Sequence, residues 1–324
     1  MTNRRTFLSQ LGVVALAASR LHASEADEFH GIYPILQTPY ADNGAVDFDI
    51  LANQADFVHR AGAHGMVWPQ LASEYALLSF EERIRGAETL VEAKSVGLKP
   101  KLVIGVQAED TATAVRYAEH AASIQPDGII ALPARKPNQR EFDLDATRSY
   151  YKAVAEACPL PMFIQAIGNM SVEYVTSLVE EIPNIYFVKD EAGHTLSRIT
   201  EFSKVDANKK PILFTGGHGR NLLDEVARGA RGNMPAASWV DLYVTAWELW
   251  EQGREAEALD IFSKDMLFIT QASAYGLASL SYILTKRGVF KNWKVRNPNA
   301  RPLDQHALTA LDKTYDFVQP YFRT

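Results

Sequence analysis

The chain has 324 residues, 47% of them hydrophobic, enough to close one large core or two smaller ones. Its 39 acidic side chains outnumber 33 basic ones, for a net charge of −6, and no basic stripe runs through it, so nucleic acid is excluded as an expected partner. One cysteine, Cys158, excludes an intrachain disulfide and, just before Pro159-Leu160-Pro161, reads as a structural thiol at a half-buried helix end.

Asn3-Arg4-Arg5-Thr6-Phe7-Leu8 precedes an apolar run over 11–18, then small residues with Ala23 at a cleavage point. This is the pattern of a twin-arginine signal peptide over residues 1–25, with a chance Arg-Arg pair as the alternative. The expectation is a mature chain exported folded to the periplasm or beyond. The apolar run is too short to span a bilayer, and no span is expected in the mature form.

From residue 29 to 324 the chain reads as one domain. Short apolar runs at 31–36, 65–68, 101–106, 128–132, 162–165, 185–189, 212–215 and 232–234 are too apolar for strands with one wet face. Amphipathic segments alternate with them, at 48–60, 80–93, 111–124, 146–157, 172–181, 196–205, 222–228 and 242–251. Eight strand–helix units predict a parallel sheet closed as a (β/α)₈ barrel. A doubly wound open sheet is disfavoured because the first strand runs into Gln37-Thr38-Pro39-Tyr40 and not into a glycine-rich phosphate loop. Segments at 255–272, 279–287 and 305–318 predict extra C-terminal helices.

In such a barrel the chemistry sits where strands end. Strand six closes Ile185-Tyr186-Phe187-Val188-Lys189-Asp190-Glu191. An ammonium at a barrel mouth of low polarity is disfavoured in its charged form, and a neutral amine condenses with a ketone. The alternative is a lysine that marks the strand's end and reaches solvent. After strand two, Ala72 and Ser73 are small enough to offer backbone N–H groups, and a hydroxyl, to a carboxylate. Ser79 with Glu82 forms a capping box for the helix that follows.

These stretches, Gly31–Tyr40, Ser73-Glu74 with Leu78, and Val188-Lys189, resemble the dihydrodipicolinate synthase / N-acetylneuraminate lyase family over about residues 29–290. The resemblance implies a (β/α)₈ (TIM) barrel, a lysine imine on strand six, no cofactor and a homotetramer. The departures are specific. The family synthases' Thr-Thr pair reads Leu71-Ala72 here, their strand-five tyrosine reads Gln165, and the arginine that follows it has no counterpart in 166–170. Ala-Ser-Glu, Ile-Gln and Lys-x-Glu resemble instead the family's dehydratases of 2-keto-3-deoxy sugar acids.

The resulting expectation is a Schiff-base lyase for a 2-oxo acid. Lys189 forms the imine, Ala72 and Ser73 hold the C1 carboxylate, Glu74 or Glu191 is the acid/base, and Gln165 hydrogen-bonds substrate or water. Glu74 has an alternative role in holding its turn, and Glu191 one in pairing with Lys189. A pyruvate-releasing aldolase and a catalytically silent sugar-acid binder are the competing readings. Gly216, Gly217 and His218 after strand seven are expected to bind substrate, through a tight turn that brings backbone close to its chain; a phosphate site strengthened by Arg220 is the alternative, and His218 and His194 are the expected contacts to hydroxyls. No metal is expected, because neither histidine has a ligand partner at usable spacing. Trp68 reads as core, Arg135 and Lys136 as exposed loop charges, and Tyr243, Trp247 and Trp250 as core or subunit contacts.

Overall fold

The computed structural model describes residues 28–136, 139–207 and 209–324; residues 1–25, where a signal peptide is expected from sequence, lie outside them. Eight parallel strands follow in chain order: β1 (Gly31–Ile32), β2 (Gly65–Trp68), β3 (Lys101–Gly105), β4 (Gly128–Ala131), β5 (Met162–Ala166), β6 (Ile185–Asp190), β7 (Ile212–Thr215) and β8 (Gly232–Asn233). Each pairs with its successor from β2 to β8, and β8 pairs with β1. Ile35 bridges Val67 on one side and Ala236 on the other, which brings β1 against β2. The result is a nearly closed TIM barrel, not an open sheet.

β1 is shorter than the run 31–36 because Pro34 has no N–H for the ladder. Bonding continues regardless: Tyr33 N–H donates to Asn233 O at 2.9 Å, Ile35 N–H to Pro235 O at 2.7 Å, and Val67 N–H to Pro34 O at 3.0 Å.

The helices between strands are α1 (Phe48–Arg60), α2 (Phe80–Ser95), α3 (Thr111–Ile124), α4 (Leu144–Ala157), α5 (Val172–Glu181), α6 (Thr195–Phe202), α7 (Leu222–Ala227) and α8 (Val240–Glu251). Their starts follow the caps. Asp143 accepts from Asp145 N and Ala146 N, so α4 begins two residues before the apolar spacing suggests. Ser79 and Glu82 form the expected reciprocal box at α2. Cys158 ends α4 fully buried, not half-buried.

Three further helices follow, α9 (Glu255–Tyr275), α10 (Leu277–Lys286) and α11 (Gln305–Val318). A buried Asp241–Arg287 pair at 2.7 Å ties α8 to the end of α10, and Arg323 N donates to the same carboxylate. Tyr243, Trp247 and Trp68 are buried in this chain's own core. None of the described helices is long and apolar enough to cross a membrane.

Side chains alternate along a strand, so the barrel has an inner and an outer layer. Phe29, Tyr33, Val103, Phe163, Phe187 and Phe214 pack inside it. Ile129, Ile164 and Val188 face the helices. The Phe163 and Phe187 rings stack at 4.1 Å, and Phe214 meets Phe163 edge-on at 5.1 Å. This aromatic floor decides what lies above it: two residues further on, Gln165 and Lys189 must also point inward.

Candidate active site

Gln165 and Lys189 stand opposite each other in register between β5 and β6. Both are buried, Lys189 with 3% of its surface exposed. Lys189 Nζ lies 3.3 Å from Glu191 Oε2. The Gln165 amide donates to the same oxygen, and Gly217 N–H donates to Glu191 Oε1 at 2.7 Å. Burial pushes the Glu191 carboxyl up, but Lys189, the Gly217 N–H and the Gln165 amide outweigh it and hold the group below the usual carboxylate range. Glu191 is therefore an ionised carboxylate beside the buried Lys189.

Gly216 makes room for this pair. A Cβ there would lie 2.0 Å from Glu191 Oε1 and 2.7 Å from Lys189 Cε. Gly217 adopts φ +60°, a conformation that lets its N–H turn toward Glu191. His218 follows at φ +59° and carries no such freedom; its carbonyl is pinned by the Tyr243 hydroxyl at 2.6 Å. Burial, with Arg220 nearby, pushes the His218 imidazole below its usual value, so it is neutral at pH 7.

Two lobes meet at Glu191. The smaller, about 220 Å³, is lined by Lys189, Glu191, His218 and Ala72 against apolar walls that include Met234 and Leu277. The larger, about 490 Å³, is lined by Gln165, Gly216, Gly217 and His194, with Arg135, Arg140 and Arg220. Lys189, Glu191, Gln165, Gly216, Gly217, His218 and Ala72 thus come together.

Ser73 and Glu74 do not join them. The Ser73 hydroxyl donates to Leu36 O at 2.5 Å and its N–H to Gln70 O at 2.9 Å, so neither donor is left for a substrate carboxylate. Glu74, in the left-handed region at φ 57°, turns away to accept from Arg296 N at 3.0 Å and Asn297 N at 2.7 Å. Its carboxylate clamps the segment before α11 onto the strand-two loop. This is the turn-holding role, not acid/base chemistry.

Three charged lining residues lie beyond the sequence reading of the site. Arg135 had been read as a loop charge, and it faces the larger lobe, whereas Lys136 stays exposed. Arg140 precedes α4 and also lines that lobe. Glu225 on α7 looks in sequence like a solvent-facing neighbour of Asp224, but it is buried. Its Oε2 accepts from Thr215 Oγ1 at 2.6 Å and Asn233 Nδ2 at 3.2 Å. Burial pushes its carboxyl up to about 7. The polar ends of β7 and β8, Thr215 and Asn233, were the available signal for an inward partner. No group of three or more metal-ligating side chains occurs among the described residues.

The sequence profile of the Dihydrodipicolinate synthetase family matches residues 28–316. The chain belongs to that family. It is 26% identical over 296 residues to 4-hydroxy-tetrahydrodipicolinate synthase of Rhizobium meliloti, covering 88% of this chain and 96% of that one. The enzyme of the same name from Sphingopyxis alaskensis is 32% identical over 183 residues, 54% of this chain and 60% of that one. Among solved structures, dihydrodipicolinate synthase of Rhodopseudomonas palustris superimposes with TM-score 0.80 at 22% identity, covering 89% and 97% of the two chains. N-acetylneuraminate lyase of Mycoplasma synoviae does so with TM-score 0.78 at 20% identity, covering 90% and 98%. The family resemblance and the barrel expected from sequence both hold.

Proposed function

We propose that this family member is a class I lyase that forms an imine between Lys189 and a 2-oxo acid, and that it dehydrates a 2-keto-3-deoxy sugar acid. The observation that carries this reading is the Glu191 carboxylate, 3.3 Å from Lys189 Nζ and bonded to Gln165 where the family synthases have a tyrosine. A titratable group stands beside the forming imine, and Gln165 cannot titrate.

The steps follow from that placement. Glu191 takes a proton from the Lys189 ammonium, freeing the amine to attack C2 while Ala72 N–H faces the C1 carboxylate. The carbinolamine loses hydroxide as water, with the proton returned by Glu191, and leaves a protonated imine. The iminium withdraws electrons from C3, and Glu191, ionised again, removes a C3 proton. The enamine's electron pair then expels the C4 hydroxyl, which takes that proton from Glu191 and departs as a second water. Addition of water to the unsaturated imine frees Lys189 and a 2-oxo acid with a C3–C4 double bond. The net change from substrate is loss of one water.

An aldolase begins from the same imine but breaks C3–C4, and it needs a base at the C4 hydroxyl and not at C3. Product analysis separates the two: one water lost from the intact carbon chain supports the dehydratase, and free pyruvate with an aldehyde overturns it. The proposal also includes a homotetramer, checked by light scattering, and export by the twin-arginine route, checked by the N-terminus of the fractionated protein.

A further inference from the structure

The larger lobe holds three guanidinium groups that the imine chemistry does not use. Arg135 and Arg140 come from the segment between β4 and α4, and Arg220 from the turn after β7. None of the three makes an ion pair among the described residues, although Arg60, Arg148, Arg198, Arg228 and Arg287 all do. Arg220 Nε donates to Gly217 O at 3.0 Å and Arg135 Nε to Lys136 O at 3.5 Å, which leaves the terminal nitrogens of both uncommitted. The acidic groups at the lobe are both engaged elsewhere: Glu191 with Lys189, and Glu225 with Thr215 and Asn233. His194 Nδ1 is occupied by Ser197. The lobe therefore carries an uncompensated positive charge on three planar donors.

We infer that this lobe is an anion-binding subsite, and that the substrate is a 2-oxo acid bearing a second anionic group, a carboxylate or a phosphate, at the end remote from its carbonyl. The inference rests on the imine reading for the orientation of the substrate. With the carbonyl held at Lys189, the rest of the chain extends past Glu191 into the larger volume, and its far end meets the arginines. A guanidinium presents parallel N–H donors that match two oxygens of a carboxylate or phosphate. The arginines come from the β4 and β7 loops, so they replace in chemistry, not in position, the strand-five arginine missing from 166–170.

Two measurements at fixed ionic strength test this. The first is calorimetric titration with inorganic phosphate and with glutarate, neither of which has a carbonyl to trap. Binding is expected, weakened at least tenfold in the triple variant Arg135→Gln, Arg140→Gln, Arg220→Gln, with circular dichroism confirming that the variant folds. The second is borohydride trapping with two pairs of probes: 2-oxoadipate against 2-oxohexanoate, and a six-carbon 2-keto-3-deoxy sugar acid with and without a terminal phosphate. The anionic member is expected to half-saturate at a concentration at least tenfold lower, and the triple variant to erase that ratio. The pair with the larger ratio identifies carboxylate or phosphate. Adducts without an anionic preference overturn the subsite and leave the imine reading intact. No adduct with any probe, but arginine-dependent binding of phosphate or glutarate, overturns the imine reading and leaves the subsite. Absence of both binding and preference overturns the inference.

Discussion

Glu191→Gln removes one charge and almost no volume. At 3.3 Å the Lys189–Glu191 attraction amounts to about 5 kcal/mol at an effective dielectric near 20, before the cost of desolvating both groups is subtracted. Gln keeps an oxygen for the Gly217 N–H but turns an NH₂ toward Lys189 and Gln165. Gln165 can answer by flipping its amide, since its Oε1 is buried and unpartnered. The packing therefore survives while the proton acceptor at C3 is lost. Loss of a positioned base costs about 10²- to 10⁴-fold in rate, or about 2.7–5.5 kcal/mol at ~1.36 kcal/mol per decade. Turnover of a 2-keto-3-deoxy sugar acid, followed by mass spectrometry of product, is expected to fall by that factor. The final stoichiometry of the borohydride adduct with pyruvate stays near one per chain, because the nucleophile remains. Turnover within threefold of the parent would show that Glu191 is only the counter-ion of Lys189. In the parent, the acid limb of kcat/KM is expected below the ordinary carboxylate range, because Glu191 is held ionised there.

Glu225 predicts a pH-dependent stability. Its carboxyl rises from an ordinary 4.5 to about 7 on folding, so the folded state binds the proton more tightly. Stability from this group is complete below pH 4.5 and is lost as pH rises through about 7, by about 3 kcal/mol. Glu225→Gln is expected to gain on the parent across that window in denaturant titrations; a difference that stays flat with pH contradicts the assignment. Glu74→Ala strands two backbone N–H groups and is expected to cost about 2–4 kcal/mol of stability, more than Glu191→Gln costs in the same unfolding assay. Asp241→Ala leaves Arg287 buried without its partner and is expected to cost about 3–5 kcal/mol; a loss under 1 kcal/mol by thermal melt would show that the pair is not structural. Gly216→Ala is expected to abolish adduct formation, since its Cβ would occupy the space of Glu191 Oε1.

Strand positions were legible in the sequence because both faces of a barrel strand are dry: β2 and β7 fall where the apolar runs 65–68 and 212–215 lie. Lys189 was legible for the same reason, as a charge closing such a run, whereas Gln165 was legible only through the family resemblance, as the residue at the synthases' strand-five tyrosine. What escaped was whatever depends on how loops fold back. Ser73 has the residue type of an anion cradle, yet its hydroxyl is claimed by Leu36 O, 37 positions earlier in the chain. Arg135 read as a loop charge and Arg140 drew no reading, because nothing local says that either side chain lines the larger lobe. Glu225 follows Asp224 on a six-residue helix, too short for periodicity to say which of the two faces inward. Glu74 is fixed by backbone N–H groups more than 200 positions away, a contact no local pattern announces.

The central claim is the imine at Lys189. Borohydride trapping of the intact protein with pyruvate and with 2-keto-3-deoxy sugar acids, read by intact mass and then by peptide mapping, tests it most directly. The account predicts one reduced adduct per chain, on the peptide that contains Lys189, and none in Lys189→Ala. No adduct with any 2-oxo acid, or an adduct on another lysine, would contradict it.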